Sequence, residues 1–369
     1  MKKNRFSSHL EFVDSACCHV GCAQFEKQWP PENQRPLSHP LSKNFQFLSL
    51  WHAPSSHEVW IEQAAAQQHA VWIEDLKRQR KASPRLCHER ALPKYPLLFW
   101  AASPMAQQWS ASHGLCLVQS PTLETLRSIH DKKWLEKKRH KPLLSHLDSQ
   151  IIHSFKELEQ LSHKHPGQPW MIKRSWSAAG LGNRAYIPSI TSAHFIEKWL
   201  AADQALIIQP LLEKKLDFSS LWYLPAQGSA VFLGSTQMLI ENGTRYAGCL
   251  LQTPEHLFAS YPFLWQEHLQ EAQALMDQMR SEGYFGYLGL DGMLYETKHG
   301  LCQAIIEINL RQTLAMHLHS CAQSLEFAFP VLAQIKTERS KSSSPLFKRK
   351  QSLLPASYAI AIELYELHS

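Results

Sequence analysis

The residues best suited to chemistry lie in AIIEINLR, Ala304 to Arg311. As a strand this octapeptide puts Glu307, Asn309 and Arg311 on one face and Ile306, Ile308 and Leu310 on the other. A buried strand rarely gives a whole face to a carboxylate, an amide and a guanidinium without a common partner. Carboxylate and amide oxygens two residues apart are hard ligands of the kind Mg²⁺ takes, and Mg²⁺ recruits substrate phosphates to complete its shell. The plain alternative is an edge strand whose polar side meets water. Upstream, GLDGMLYE offers Asp291, and TKHG (Thr297 to Gly300) has turn chemistry. A turn centred on His299 sets Asp291 directly opposite Glu307. Like charges across a strand pair repel, so this register favours a cation between them. A slip of one residue would move Asp291 to the other face.

A second candidate is PWMIKRSWSAAGLG, where Lys173 sits inside an apolar run and Ser177, Ala178, Ala179 and Gly180 follow. Ser, Ala and Gly are ordinary turn residues, so a hairpin accounts for the pattern without function. The other reading is a phosphate site, with a fixed ammonium beside a loop whose small side chains let backbone amides approach. STQMLIENGTRYAG carries Gln237, Arg245 and Tyr246, which could face an acceptor substrate; Asn242-Gly243 marks it as a hairpin. His317 and His319 in HLH are expected to pack or face solvent. Cys17, Cys18 and Cys22 bracket His19 in CCHVGC, but no second pair follows at zinc-like spacing, so a structural zinc site is not the expectation there, while adventitious metal binding by the group stays open.

The elements that must position these residues are those of a globular chain. At 369 residues there is room for two or three packed units. The mild net charge of +6 gathers in KKWLEKKRHK (Lys132 to Lys141) and KTERSKSSSPLFKRK (Lys336 to Lys350). These runs are expected to be a solvated helix face and a disordered-leaning segment, since no aromatic interleaving or nucleic-acid module accompanies them. No long uncharged apolar run suggests a membrane span, and Glu11 and Asp14 interrupt any signal-peptide core. A reducing, cytoplasmic setting is expected, with free thiols.

Residues 1–44 are rich in Pro, His, Ser and Gln and read as an irregular N-terminal segment. From Phe45, FQFLSLW reads as a strand, EVWIEQAAAQQHAVWI as a helix, and YPLLFWAA and LCLVQS as strands. Strands alternating with helices predict a doubly wound, parallel α/β unit over 45–120. It lacks a GxGxxG fingerprint. Next come a helix capped by Thr122, a helix over IIHSFKELEQLSHKH, the Lys173 strand, and a helix capped by Thr191 or Ser192. ALIIQPLLEKKLDFSSLWYL and SAVFLGSTQMLI are strands, and PFLWQEHLQEAQALMDQMRSEG is a long helix ending at Gly283. The Asp291 and Glu307 strands follow, then a closing helix over CAQSLEFAFPVLAQI. Thr337 to Pro355 reads as a linker and YAIAIELYEL as a late strand.

In this order the features resemble the ATP-grasp superfamily, from about Pro121 to Leu314. HDKKWL resembles the family's Asp-Lys at the entry to its nucleotide domain, placing Lys132 as a first ATP-contacting basic residue. MIKRSWSAAGLG resembles the strand lysine and phosphate loop. IIQPLLEKKLDFS resembles the hinge, which implies that backbone at Pro210 and Leu212 meets adenine, Gln209 flanks it and Asp217 holds the ribose. GLDGMLYE and IIEINLR resemble the metal-binding acid and the Glu-x-Asn-x-Arg signature, with Leu310 where a proline is common. The phosphate loop has fewer glycines than many members. The resemblance implies an ATP-grasp fold, α+β in its nucleotide-binding part, over 121–335, preceded by the Rossmann-like unit and followed by a linker and terminal strand over 336–369. It implies ATP and Mg²⁺, with Mn²⁺ as an alternative, held by Asp291, Glu307 and Asn309, while Lys173 and Arg311 serve the chemistry. The implied reaction is ligation of a small-molecule carboxylate to an amine or thiol through an acyl phosphate, without nucleic acid or membrane partners and with a homodimer as one option. A kinase on the same scaffold and a non-catalytic nucleotide-binding protein are the competing expectations.

Overall fold

Four short strands near the N-terminus build the first sheet of the protein, described here from a computed structural model. Residues 16–20, 45–80, 83–139, 147–177, 182–188, 193–241, 245–336, 347–355 and 361–367 are described. The strands are β1 (Cys18–Val20), β2 (Glu58–Trp60), β3 (Arg85–Cys87) and β4 (Leu97–Phe99). They pair in parallel in the order β3-β2-β1-β4, the order of a doubly wound sheet.

Four sequence expectations are corrected in this unit. FQFLSLW is not a strand: Phe45–Phe47 is a 3₁₀ turn and Ser49–His52 a helical turn. A short apolar run buried on all sides does not reveal its period, and Phe47, Leu48, Leu50 and Trp51 are all buried. The first strand comes instead from the N-terminal 44 residues, where Cys18–Val20 is wholly buried rather than irregular. EVW is β2, and the helices over Gln63–Gln68 and Ala70–Gln79 begin only after it. LCLVQS contributes only an isolated bridge from Leu117 to Leu97.

A second, antiparallel sheet carries the lysine strand. It contains β5 (Gln150–Ile152), β6 (Trp170–Arg174), β7 (Asn183–Tyr186) and β8 (Leu206–Pro210), in the order β5-β8-β6-β7. Helices Phe155–Lys164 and His194–Asp203 cover one side, burying Ile152, Leu158, Ile172, Ile196 and Ile208 together. The second helix follows Ala193; Thr191 and Ser192, the expected caps, lie outside the described residues.

The third sheet has eight strands. They are β9 (Lys214–Leu224), β10 (Val231–Glu241), β11 (Arg245–Gln252), β12 (Gly286–Thr297), β13 (Gly300–Asn309), β14 (Val331–Lys336), β15 (Phe347–Ser352) and β16 (Ala361–Leu367). Their order is β13-β12-β9-β10-β11-β14-β16-β15. The expected closing helix is divided: Leu314–Ser324 is helical, while VLAQIK is β14. Part of the expected linker is β15. Helix Pro262–Ser281 stops before Gly283, whose φ of +87° suits glycine. Its Ala272, Leu275, Met276 and Met279 pack with Leu288, Leu290, Ile305 and Ile308 beneath the sheet and with Leu126, Ile129 and Trp134. Among the described residues no helix is long and apolar enough to cross a membrane.

The hairpin of β12 and β13 pairs Asp291 with Glu307, as the sequence suggests, but by a different route. Its turn is one residue tighter than expected, pairing Thr297 with Gly300. That register runs inward as far as Gly292 opposite Ile305, and a bulge then inserts Ile306 before Asp291 meets Glu307. The two offsets cancel. A bulge re-aims the residues around it. Accordingly Ile306 leaves the Ile308–Leu310 side and packs with Met293, Ala304, Leu147 and Leu212, against expectation. Gly292 is required there, because a Cβ would meet Phe218 Cζ at 2.4 Å.

Candidate functional site

Lys173 lies near the middle of the second sheet, paired with Asn183 and Ile207, and is 7% exposed. Burial lowers its pKa to about 8; Glu136 and Glu307 pull it upward, and Lys132 and Arg139 oppose them. Just beyond β6, Ser175 O accepts a hydrogen bond from the Lys132 backbone N–H at 3.3 Å. Ser177 accepts from Lys132 Nζ at 2.9 Å. Ala178, Ala179 and Gly180 lie outside the described residues, but both ends of their loop are visible. Arg174 N donates to Gly182 O at 2.9 Å, and a Cβ on Gly182 would fall 2.2 Å from Ser177 Cβ. The chain therefore leaves and re-enters β6–β7 through a narrow neck.

Facing this neck is the polar side of β12 and β13. Asn309 Nδ2 donates to Asp291 Oδ2 at 2.9 Å, and Arg311 donates to Asn309 Oδ1 at 3.0 Å. Ser219, opposite Asp291 on β9, hydrogen-bonds the same carboxylate. Burial and the neighbouring Glu307 push Asp291 up to about 6. Burial would raise Glu307 too, but Lys132, Lys173 and Arg311 together hold it below its ordinary value. Lys132 Nζ approaches Glu307 Oε1 at 3.2 Å, joining the lysine neck to the acid face. Lys132 and Glu307 keep 12% and 22% of their side-chain surface open, enough for a ligand to reach both.

The hinge residues divide. Gln209, buried on β8, donates to Glu136 Oε1 at 2.9 Å. Glu136 Oε2 accepts from Arg139 Nε at 2.8 Å, and Arg139 in turn donates to Ile305 O at 2.6 Å. Pro210 ends β8, and Leu212 packs toward Met293 and Ile306. Asp217 pairs with Met293 two residues from Ser219, and Lys214 Nζ holds its carboxylate at 2.7 Å. After Arg311, Gln312 N donates to Trp100 O at 3.0 Å, bringing the end of β4 against the acid strand. A cleft of about 350 Å³ lined by Arg127, Lys133, Trp134 and Trp176 opens beside Asp131.

Sequence reading missed several of these groups. The charged run Lys132–Lys141 is not simply a solvated face: Trp134, Leu135, Glu136 and Arg139 are buried. Only the spacing of Trp134 and Leu135 hinted at this. His130 is half-buried near Arg311, Glu307 and Lys132, and desolvation, with Arg311, lowers its pKa to about 4, so it stays neutral. Ser219 could have been found by extending the Asp291 register one strand further. Gln237 lies on β10, while Asn242, Gly243 and the Arg245 side chain lie outside the described residues. His317 and His319 are buried, against His52 and Ser235 O.

No protein-family model matches this chain, and no curated protein matches it. Solved structures do. The Campylobacter jejuni biotin carboxylase–β-γ-ATP complex superposes with TM-score 0.55 at 12% identity, over 85% of this chain and 82% of that one. The Staphylococcus aureus N5-carboxyaminoimidazole synthetase with ADP gives 0.50 at 9%, over 87% and 82%. The biotin carboxylase domain dimer of Hydrogenobacter thermophilus 2-oxoglutarate carboxylase, with MgADP, ADP and bicarbonate, gives 0.50 at 12%, over 71% and 66%. The chain has the ATP-grasp fold. Within this fold Lys132 bridges the lysine sheet and the eight-stranded sheet through Ser177 and Glu307.

Proposed function

We propose that the protein is a Mg²⁺- and ATP-dependent ligase that joins a carboxylate to an amine or related nucleophile through an acyl phosphate. The observation that carries this reading is the Lys132 ammonium, which meets Ser177 at the loop neck and Glu307 on the acid face. A triphosphate lying there would touch a buried lysine on one side and oxygen ligands on the other. The neighbours named above, which bear ATP, ADP, MgADP and bicarbonate in their own structures, support the same class of chemistry.

The acid face fits a hard dication. Asp291 and Glu307 oppose each other, and Asp291 is pushed upward partly by Glu307. Together with Asn309 they form an all-oxygen donor set suited to Mg²⁺, with Mn²⁺ the alternative. Bound there, the metal would neutralise phosphate charge. The chain's own groups do the rest. Lys173 and Lys132 hold the phosphates, and Ala178, Ala179 and Gly180 leave room for backbone amides. Pro210 and Leu212 offer main chain to the adenine edge, with Gln209 beside it; Met293 and Ile306 offer an apolar face, and Asp217 meets the ribose. A carboxylate oxygen then attacks the γ-phosphorus in line, releasing ADP and forming the acyl phosphate. The nucleophile next attacks the acyl carbon and expels phosphate, while the Arg311 guanidinium stabilises the negative oxygen. Substrate entry beside Gln312 and the end of β4 would use the carboxyl edge of the parallel sheet. On this reading 121–335 is the ATP-grasp domain, 45–120 with the β1 strand at Cys18–Val20 the preceding unit, and 336–369 an extension whose strands complete the eight-stranded sheet.

The test is ADP and phosphate release against pooled carboxylates, bicarbonate included, with and without pooled amines and thiols, followed by mass spectrometry. A ligase needs both pools and yields a condensed product. A stable phosphate ester would instead identify a kinase. Silence in every pool, from protein that Mg-ATP still protects against heat, would sink the ligase reading.

A further inference from the structure

A cluster on the first sheet lies outside the nucleotide machinery. Cys17 and His19 are alternate residues entering β1, so their side chains share one face of the sheet. His57 directly precedes β2, and the Glu58 N–H donates to Cys17 O at 2.9 Å, which brings it alongside. The three donor atoms converge: Cys17 Sγ lies 3.5 Å from His19 Nε2 and 3.5 Å from His57 Nδ1, and the two nitrogens are 2.9 Å apart. All three residues are buried, at 0%, 2% and 6% exposure.

We propose that Cys17, His19 and His57 form a binding site for Zn²⁺ or a similarly soft divalent cation. With Zn–S near 2.3 Å and Zn–N near 2.0–2.1 Å, a tetrahedral ion separates a sulfur from a nitrogen by about 3.5 Å and two nitrogens by about 3.3 Å. The sulfur distances match, and the nitrogens need to part by only a few tenths of an ångström. One thiolate with two imidazoles is a zinc-type donor set and a poor one for Mg²⁺. Protons satisfy the trio less well. One proton can bridge the two nitrogens and the thiol can donate to one of them, whereas a single ion serves all three atoms. A fourth tetrahedral position remains for water or another oxygen or nitrogen donor.

A second trio, Cys18, Glu58 and Cys87, is a weaker candidate. Glu58 is already engaged by Arg85 Nε at 2.6 Å and by the Lys94 and Tyr95 backbone N–H groups, and the Arg85 cation repels a dication. In the first trio the three donor atoms lie against one another instead. Its third ligand, His57 beside β2, lies 38 residues beyond His19, a separation at which no local zinc spacing appears in the sequence. The ion would pin the three-residue β1 to β2 in the middle of the sheet.

The test uses the full chain, purified without an affinity tag. Elemental analysis should find about one zinc per chain, and zinc-edge X-ray absorption should report one sulfur and at least two nitrogens. Cobalt substituted for zinc should show tetrahedral ligand-field bands and a thiolate charge-transfer band. Cys17→Ser and His57→Gln should each weaken zinc binding by at least about tenfold, the lower end of what even ligand-supporting groups contribute. Cys116→Ser, at an exposed thiol, should not. If the buried variants do not fold, absorption on the wild-type protein decides. Two sulfurs would assign the ion elsewhere, and either that result or metal-free protein that takes up neither zinc nor cobalt overturns the proposal.

Discussion

Lys173 sheds its proton earlier than an exposed lysine would, and the direction of that shift sets two measurable effects. Its pKa falls from 10.5 to about 8 on folding, chiefly through burial. Between those values the unfolded chain keeps a proton that the folded chain has lost, so this group's contribution to stability rises with pH across that window. Below about pH 8 the cost of the buried charge is present in full. Nucleotide-free Lys173→Met should therefore melt above wild type below pH 8, with the gap closing toward pH 10.5. Mg-ATP should reverse the order, because the ammonium then has a partner. A constant gap across the pH series would show that Lys173 is not held as described. Catalysis separates Lys173 from Glu307. Losing either preorganised group should cost on the order of 10²–10³ in rate. Added Mg²⁺ should partly rescue Glu307→Gln, which acts through the metal, and not Lys173→Met. Measuring ADP formation against Mg²⁺ checks this, and equal rescue would merge the two roles.

The β12–β13 hairpin is the element on which the acid face depends. Its bulge turns Ile306 toward Met293 while Ile308 stays against helix Pro262–Ser281. Ile308→Ala should thus cost about 2–5 kcal/mol in a denaturant melt, the usual range for a buried isoleucine. Ile306→Ala should cost less and should raise the KM for ATP. Equal melts with unchanged KM would return Ile306 to the core side. Much of this architecture was legible. The lysine strand, the long helix and both acid strands follow from period and turn chemistry, and their order pointed to the right fold. The Asp291–Glu307 pairing was also reached, although two opposite one-residue offsets produced it. What escaped has identifiable physical reasons. FQFLSLW is apolar on every side, so it carries no period. Cys18–Val20 is too short to stand out among prolines and histidines. Glu136 and Arg139 satisfy each other inside a charged run, and composition cannot distinguish a buried ion pair from a solvated face.

At the scale of the whole molecule, the first sheet does not close its own core. Phe47, Trp51, Val59 and Ile73 pack with Leu221, Leu251, Leu353, Ile362 and Leu364 in one cluster. Trp51 Nε1 donates to Leu353 O at 2.9 Å across 302 residues of sequence. Deleting residues 347–369 should therefore destabilise the N-terminal unit as well as remove β15 and β16. Limited proteolysis of that truncation should release no resistant fragment from 45–120; a stable one would mean that the unit stands alone. The same bond also sets a schedule for synthesis. Trp51 leaves the ribosome long before its partner exists, and at ordinary elongation rates of roughly 5–20 residues per second the wait is about 15–60 s. Until the segment around Leu353 is made, a tryptophan-rich surface is open to whatever binds nascent apolar chain, so the first sheet waits, unfinished, through the synthesis of the other two.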